Sequence, residues 1–238
     1  MSLPFFYSND ENIRLGSSIT LDEDTSKHVV QSLRMQNEEK LNLTDGKGTI
    51  FNCIITDNHR KKCRVEVIHV QTEPPPSYKN SIAISPIKNA SRFEWFLEKA
   101  TELGVTEIVP LQCRRTEKIS LKTDRVKNIL LSALLQSRQC RLPVLHEPVP
   151  FENFVAAQKE EQHLQKFIAH CRDEENKPGL GLLKKKESSL ILIGPEGDFT
   201  KEEIEFALKN NFVAVSLGAT RLRTETAGVA AAVLLTAL

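Results

Sequence analysis

Two polar turns in the last quarter of the chain combine glycine, hydroxyl and charged side chains. The first is Gly194-Pro195-Glu196-Gly197, which follows an apolar run at 190–193. The second, 216–227, holds Gly218, two arginines and three threonines between two apolar segments. Glycine has no Cβ, so the backbone can approach a ligand closely, and turns after parallel strands commonly form the ligand crevice of an α/β sheet. Either turn alone would be ordinary, but together they predict one site for a polar ligand.

Arg223 and Glu225 are the residues of the second turn best suited to chemistry. The guanidinium of Arg223 has a fixed charge and forked donors, which suit a carbonyl oxygen that gains negative charge during a reaction. Glu225 could accept a proton or orient Arg223, and the sequence leaves both roles open. Thr224 and Thr226 would either bind a ligand or cap the following helix. We predict Arg223 and Glu225 as the catalytic residues.

Further sequence blocks extend this pattern along the chain. They are His28 with Leu33-Arg34-Met35, Asp45-Gly46, Lys88, 99–105, Glu117-Lys118, Gln136-Ser137, 192–197, 216–218 and 222–227. In this order they resemble the RsmE-type 16S ribosomal RNA uridine-N3 methyltransferases of the SPOUT class. The resemblance covers essentially the whole chain. It departs from the family at Asp198, where a second glycine is common, and at 3–6, where the family usually has an arginine.

The resemblance implies a fold, a cofactor and a substrate. The fold is α/β, with a SPOUT-type trefoil-knotted methyltransferase domain at 73–238 after an amino-terminal PUA-like RNA-binding β domain at 1–72. The cofactor is S-adenosyl-L-methionine, with no metal, and the methyl acceptor is N3 of a specific uridine in 16S ribosomal RNA. The expected cofactor-binding residues are Leu192, Gly194, Pro195, Glu196, Gly197, Ser216, Leu217, Gly218, Leu222, Arg223, Thr224, Thr226 and Ala227.

The expected partners are RNA and a second copy of the chain. RNA contacts are expected at Arg34, Lys88 and Arg92, and the substrate is assembled or partly assembled small ribosomal subunit. Residues 79–141 contain twelve Lys or Arg against six Asp or Glu, an excess that can supply phosphate contacts or form an ordinary solvated face. The apolar final helix, together with the SPOUT likeness, predicts a homodimer.

Composition limits where the protein can act in the cell and the state of its cysteines. The chain has 238 residues, 40% of them hydrophobic, and a formal net charge of +1. No stretch approaches the roughly 20 apolar residues of a membrane span, so we expect a cytoplasmic protein without a membrane partner. Its five cysteines are scattered without a Cys-x-x-Cys pair, which indicates reduced, partly buried thiols and neither a disulfide framework nor a zinc site.

Hydrophobic periodicity divides the chain near the prolines at 74–76. Before them, alternating segments at 40–44, 49–56 and 64–70 predict strands, with a hairpin at 45–48 and a helix at 22–33. After them, strands at 81–87, 107–112 and 166–170 alternate with helices at 93–103 and 123–137, and a capping box begins another helix at Thr200. The final helix is expected at 225–238. This alternation predicts a mostly parallel α/β sheet.

Two other functions share parts of this pattern. Another SPOUT enzyme, acting on a ribose hydroxyl or on guanine, would have the same cofactor turns. An RNA-binding or ribosome-assembly protein without catalysis would have the same fold. The β domain and block 222–227 favour the uridine enzyme over another SPOUT enzyme. The intact cofactor turns argue against a protein without catalysis.

Overall fold

A computed structural model describes residues 3–117, 122–161, 163–172, 177–179, 184 and 186–237. Lys118 and Leu238, which the sequence predictions included, lie outside these residues. The chain forms two compact units, Met1–Pro75 with Leu134–Leu142, and Pro76–Ala133 with Pro143–Leu238. The sequence division at 72 and 73 stays a prediction. The segment 134–142 belongs to the first unit, where Thr44 Oγ1 donates to the Cys140 carbonyl at 3.3 Å.

The first unit is built on a five-stranded sheet in the order β1-β3-β4-β5-β2. Its strands are β1 Phe5–Tyr7, β2 Ser18–Thr20, β3 Lys40–Thr44, β4 Thr49–Asp57 and β5 Arg64–Thr72. The neighbours are antiparallel except β1 and β3, which are parallel. Alternate residues of β4 and β5 fill the core, including Cys53, Ile55 and Val65. The three predicted strands and their hairpin are confirmed.

The predicted helix at 22–33 forms in two parts. Helix α1 covers Glu23–Lys27, and the Asp22 side chain caps it by accepting the Thr25 N–H. A short π-helix then covers His28–Ser32, and Arg34 follows with a left-handed φ of 56°. Such conformations are uncommon for residues other than glycine and often accompany function.

The second unit contains a seven-stranded sheet whose pairs are all parallel. The main order is β12-β10-β11-β6-β7-β8, and β9 also pairs with β7. The strands are β6 Asn80–Ile84, β7 Glu107–Gln112, β8 Val144–Leu145, β9 Val149–Pro150, β10 Gln165–Ala169, β11 Ser189–Ile193 and β12 Val213–Val215. The predicted parallel α/β sheet is confirmed. The trefoil knot stays a prediction.

Five further helices are found in the part of the chain that the structure describes. They are α2 Ala90–Glu102, α3 Thr123–Ser137, α4 Phe151–Ala157, α5 Lys201–Lys209 and α6 Thr224–Ala237. The last residues of one of them, α3, belong to the first unit. The predicted capping box is present, since Thr200 Oγ1 accepts the Glu203 N–H and the Glu203 carboxylate accepts the Thr200 N–H. Gly104 ends α2 in a left-handed conformation, as expected of a helix C-terminus. Among the described residues, no helix has both the length and the apolar character needed to cross a bilayer.

Helix α6 packs closely against α2 and β6. A Cβ added at Gly228 of α6 would lie 2.6 Å from ring carbons of Phe96 on α2 and 2.8 Å from Ile84 Cδ1 on β6. These distances are shorter than carbon contacts allow, so glycine is needed for this close approach. Because α6 begins at Thr224, this contact also fixes where the second polar turn ends.

Candidate active site

Two adjoining cavities lie at the carboxyl ends of β10, β11 and β12, where the sequence analysis placed a ligand site. Their volumes are about 430 Å³ and about 420 Å³. They share five lining residues, which are Ala169, Cys171, Arg221, Leu222 and Ala227. We call the two cavities together the cleft. Its position agrees with the rule that ligands of parallel sheets bind beyond the carboxyl ends of the strands.

A buried hydrogen bond joins the two predicted turns. Thr224 Oγ1, at the start of α6, donates to the Gly194 carbonyl at 3.0 Å. A Cβ at Gly194 would lie 3.1 Å from the Phe199 ring and 3.2 Å from the Phe199 nitrogen, so the turn closes over a buried phenylalanine. The first turn and the start of α6 therefore form one wall of the cleft.

Asp198 holds the first turn against the end of β10. Its φ is 61°, a left-handed conformation that aspartate adopts more readily than most residues, which explains how it can stand where the family commonly has glycine. Asp198 Oδ2 accepts the Cys171 N–H at 2.9 Å, and Oδ1 accepts the Phe199 N–H at 2.8 Å. Asp198 also lines the first cavity.

The second cavity is bounded by the turn that follows β12. Gly218 has a φ of 140°, and a Cβ added there would meet no atom within 4 Å. The Ser216 hydroxyl accepts the Gly218 N–H at 3.3 Å and donates to its carbonyl at 3.0 Å. Opposite this turn, Lys177 Nζ donates to the His170 carbonyl at 2.7 Å. The cavity therefore combines backbone polar groups with a positively charged side chain.

Three arginines and three carboxylates line the first cavity. They are Arg92, Arg221 and Arg223 with Glu196, Asp198 and Glu225. Glu225 is buried, and its Oε1 lies 3.7 Å from Arg92 Nε. Arg92 and Arg223 are exposed. The sequence assigned Arg92 to RNA contact, and the structure places it beside the proposed catalytic glutamate.

Most of the predicted cofactor residues line the cleft. They are Gly194, Pro195, Glu196, Ser216, Leu217, Gly218, Leu222, Arg223, Thr224 and Ala227. Leu192 is instead fully buried in the core, and its backbone pairs within the sheet. Gly197 accepts a hydrogen bond from Arg115 Nη1 at 2.5 Å through its carbonyl. Thr226 is an exposed residue of α6. Neither Gly197 nor Thr226 is among the described lining residues.

The other two predicted RNA-binding residues lie outside the cleft lining. Lys88 is exposed and its Nζ lies 3.3 Å from Glu117 Oε2. Arg34 is an exposed residue of the first unit.

One wall of the cleft, formed by the residues after β10, was not predicted from the sequence. Ala169, Cys171 and Lys177 belong to this wall. The predicted strand at 166–170 was a signal for it, since a strand between the two that carry the polar turns must end at the same edge. The sheet order β12-β10-β11, which puts it there, cannot be read from the chain order.

The thiols differ in their surroundings. Burial raises the pKa of Cys53 to about 12, and of Cys63 and Cys140 to about 11, and it raises the pKa of Cys113 well above its ordinary value. Cys171 is exposed and lines both cavities.

Within the described ranges, no group of three or more His, Cys, Asp or Glu side chains is arranged to hold a metal ion.

A parallel sheet with a charged cleft at the carboxyl ends of its strands, preceded in the chain by a small β domain, defines an α/β protein with a site for a small polar ligand. Comparisons with known proteins specify the class. The family model described as an RNA methyltransferase domain matches residues 74–236, and that described as an RNA methyltransferase PUA domain matches residues 21–68.

Solved structures and curated proteins resemble the chain over nearly its full length. A probable rRNA-methyltransferase from Porphyromonas gingivalis is 37% identical, covers 99% of each chain and superposes with a TM-score of 0.87. Ribosomal RNA small subunit methyltransferase E from Neisseria gonorrhoeae, solved with bound S-adenosyl methionine, is 28% identical, with 97% of this chain and 95% of that chain covered and a TM-score of 0.82. The protein of that name from Aquifex aeolicus is 29% identical, with 94% of this chain and 95% of its own length covered. The chain belongs to the RsmE family of RNA methyltransferases, as its sequence blocks predicted.

Proposed function

We propose that the protein transfers a methyl group from S-adenosyl-L-methionine to N3 of a uridine in 16S ribosomal RNA. One observation carries the proposal. The Thr224–Gly194 hydrogen bond brings the first turn, Arg223 and Glu225 to one cavity. Family membership supports the reaction class, because relatives named as small subunit methyltransferases match the chain along most of its length.

The residues of the cleft fit this cofactor. S-adenosyl-L-methionine supplies an activated methyl group on a positively charged sulfur, together with an ammonium group, a carboxylate, a ribose and an adenine. Glu196 and Asp198 offer negative charge to the cationic groups, and the turn at Ser216–Gly218 offers backbone donors and acceptors. Leu217 and Leu222 offer apolar surface to the base. Each cavity lies within the size range of small-molecule sites.

Arg223 and Glu225 act on the uracil in this proposal. N3 of uridine carries a proton at neutral pH, so methylation needs that proton to leave as the new N–C bond forms and the bond between the methyl carbon and the cofactor sulfur breaks, leaving a neutral thioether. Arg223 stabilises the negative charge that develops on a uracil carbonyl oxygen. Glu225 lies in the first turn of α6 with its Oε1 3.7 Å from Arg92 Nε, and in this proposal it accepts the N3 proton or positions Arg92. Holding the uracil against the methyl group lowers the barrier further.

The RNA partner and the assembly state complete the proposal. The first unit holds the RNA through its PUA domain, and the substrate is 16S ribosomal RNA in assembled or partly assembled small subunits in the cytoplasm. The enzyme works as a homodimer, supported by the apolar sequence of α6 and by Val233, an exposed valine on that helix. Light scattering at micromolar concentration is expected to give twice the chain mass. A monomer with full activity would contradict this assembly.

Labelled methyl transfer tests the function directly. The protein is incubated with labelled S-adenosyl-L-methionine and small subunits from cells that lack the gene, and the 16S RNA is mapped by mass. One N3-methyluridine is expected in the treated RNA. The same modification should be absent from the RNA of cells that lack the gene, and it should return when the gene is restored. A methyl group on a ribose or on guanine would contradict the proposal and support the first alternative. Absence of transfer by a protein that binds RNA would support the non-catalytic alternative.

The reactivity of Cys171 reports cofactor binding without relying on activity. At pH 8, the high pKa values of Cys53, Cys63 and Cys140 leave little thiolate, and burial blocks access to them, so Cys171 is expected to react much faster with a thiol reagent. Saturating S-adenosyl-L-methionine is expected to slow this reaction about tenfold or more, because Cys171 lines the cleft. Cys171→Ser supplies the control, since the fast phase should then vanish. Equal reaction rates with and without the cofactor would contradict the cleft as its site.

A further inference from the structure

The first unit carries a basic surface at 60–62, which was not predicted from the sequence and which adjoins Arg34, a predicted RNA contact. The connection between β4 and β5 contains Arg60, Lys61 and Lys62 in succession, all exposed. The Lys62 N–H donates to the His59 carbonyl at 3.1 Å, so these residues form a tight turn at the end of the hairpin. Together with Arg34, they are called here the hairpin patch.

Hydrogen bonds place Arg34 beside this turn. The Arg34 carbonyl accepts from Gln36 Nε2 at 3.2 Å, and Gln36 Oε1 accepts from Asn58 Nδ2 at 3.1 Å. The Asn58 N–H also donates to Asn37 Oδ1 at 2.8 Å. Asn58 stands two residues before Arg60. The loop that follows the π-helix and the hairpin turn are therefore held together at one end of the sheet.

Helix α1 supports the other side of the turn. The Cys63 N–H donates to the buried Ser26 hydroxyl at 3.0 Å, and the Leu21 N–H donates to the Cys63 carbonyl at 2.8 Å. These bonds fix the backbone from which the basic side chains project. A fixed backbone lowers the entropy cost of holding several charges against a ligand.

The charges of the hairpin patch are only partly balanced. Lys61 Nζ lies 3.4 Å from Glu23 Oε1, but the same oxygen lies 2.9 Å from Lys27 Nζ, so one carboxylate serves two lysines. Among the residues that the structure describes, Arg60, Lys62 and Arg34 have no carboxylate within 4.0 Å. Exposed, uncompensated cations at one end of a rigid sheet suit a partner with closely spaced negative charges.

We propose that the hairpin patch binds the phosphate backbone of the RNA substrate and orients it on the first unit. This inference rests on the proposed function, because it takes the substrate to be ribosomal RNA. Lysine and arginine that contact phosphates release counterions, which makes the affinity strongly dependent on salt. In this proposal the hairpin patch contacts the phosphate backbone of the RNA, and the cleft selects the base that is methylated.

The test compares two double variants of the full chain. Arg60→Gln/Lys62→Gln removes two cations of the patch. Arg14→Gln/Lys47→Gln removes two cations elsewhere in the same unit, since Lys47 lies in the β3–β4 turn at the other end of the strands and Arg14 lies in an exposed loop before β2. Binding to 16S ribosomal RNA transcript is measured between about 0.05 and 0.3 M salt, where phosphate contacts dominate the affinity.

The patch variant is expected to flatten the plot of log affinity against log salt by about 1.5 and to weaken binding at 0.1 M salt by roughly 30-fold. The control variant should match the parent. The charge reversal Arg60→Glu/Lys62→Glu should weaken binding further. Protection of Cys171 by S-adenosyl-L-methionine should be the same in all four proteins, because the cleft is untouched.

The outcomes separate this inference from the proposed function. If the parent methylates the RNA and the patch variant keeps the parental salt slope and affinity, the inference is wrong and the function stands. If the parent transfers no methyl group while the patch variant loses RNA affinity, the function is wrong and phosphate binding stands. A defect seen only with ribosomal particles, with unchanged affinity for protein-free RNA, would assign the patch to a ribosomal protein and overturn the inference.

Discussion

Arg223→Ala is expected to lower the turnover rate at saturating RNA by about 100-fold or more, the loss seen when one donor to a developing oxyanion is removed. Arg223 is exposed in the first cavity beside Arg92, Arg221 and Glu225. Its interaction with the uracil oxygen strengthens as charge develops, so the loss should fall on turnover more than on RNA affinity. Single-turnover rates with labelled cofactor measure the effect.

Two further variants sharpen the test of Arg223. Arg223→Lys keeps the charge but lacks the forked donors, so only part of the rate should return. Arg221→Ala removes the neighbouring exposed arginine of the same turn, and it should change binding more than turnover. Parental turnover in Arg223→Ala at saturating RNA would remove Arg223 from the chemistry, even with the family assignment intact.

Gly228→Val is expected to destabilise the second unit by about 3 kcal/mol, at the upper end of the usual range for overpacking. The new Cβ would lie 2.6 Å from the Phe96 ring and 2.8 Å from Ile84 Cδ1, so α6 must move away from α2 and β6. A loss of this size would lower the Tm of a protein of this length by roughly 6–12 °C. Urea unfolding of the purified protein measures it. Since α6 also carries Thr224 and Glu225, cofactor affinity should fall as well.

A glycine in open space provides the matched control. Gly179→Val adds the same side chain where no atom lies within 4 Å of the new Cβ, and its backbone has no left-handed φ. The free energy of unfolding should then stay within about 0.5 kcal/mol of the parent. Equal stability of the two variants would show that α6 shifts without cost and that the close contact at Gly228 has no structural role.

The local chemistry of the site could be predicted because it depends on neighbours in the sequence. Gly194 and Gly218 follow strands, Arg223 immediately precedes a helix and Glu225 lies in its first turn, so the residue types alone indicated a ligand turn. The contact of Glu225 with Arg92 could not be predicted in this way, since the two residues lie on different helices. Asp198 showed its role only when its carboxylate was found to bond to the Cys171 N–H after β10.

The long elements of the fold followed from periodicity, whereas the short ones did not. Helix α3 was predicted at its observed bounds, and β3, β4 and β5 within two residues. Strands β1, β2, β8 and β9 were missed because two or three residues carry no measurable alternation. Helix α4 was also missed, and its seven residues give barely two turns of apolar pattern.

The strand order of the parallel sheet has a consequence for how the enzyme folds. Strand β6 pairs with β11, so Ile84 lies opposite Ile193, a residue more than 100 positions later in the chain. Helix α6, later still, packs on β6 as well. To pair distant segments, the chain must first close long loops, and the entropy cost of closure comes before any stabilising contact forms. This slows folding. The second unit should therefore refold more slowly than the mostly antiparallel first unit. During synthesis, the cleft can assemble only after α6 has left the ribosome, so a nascent chain lacking α6 should not retain the cofactor.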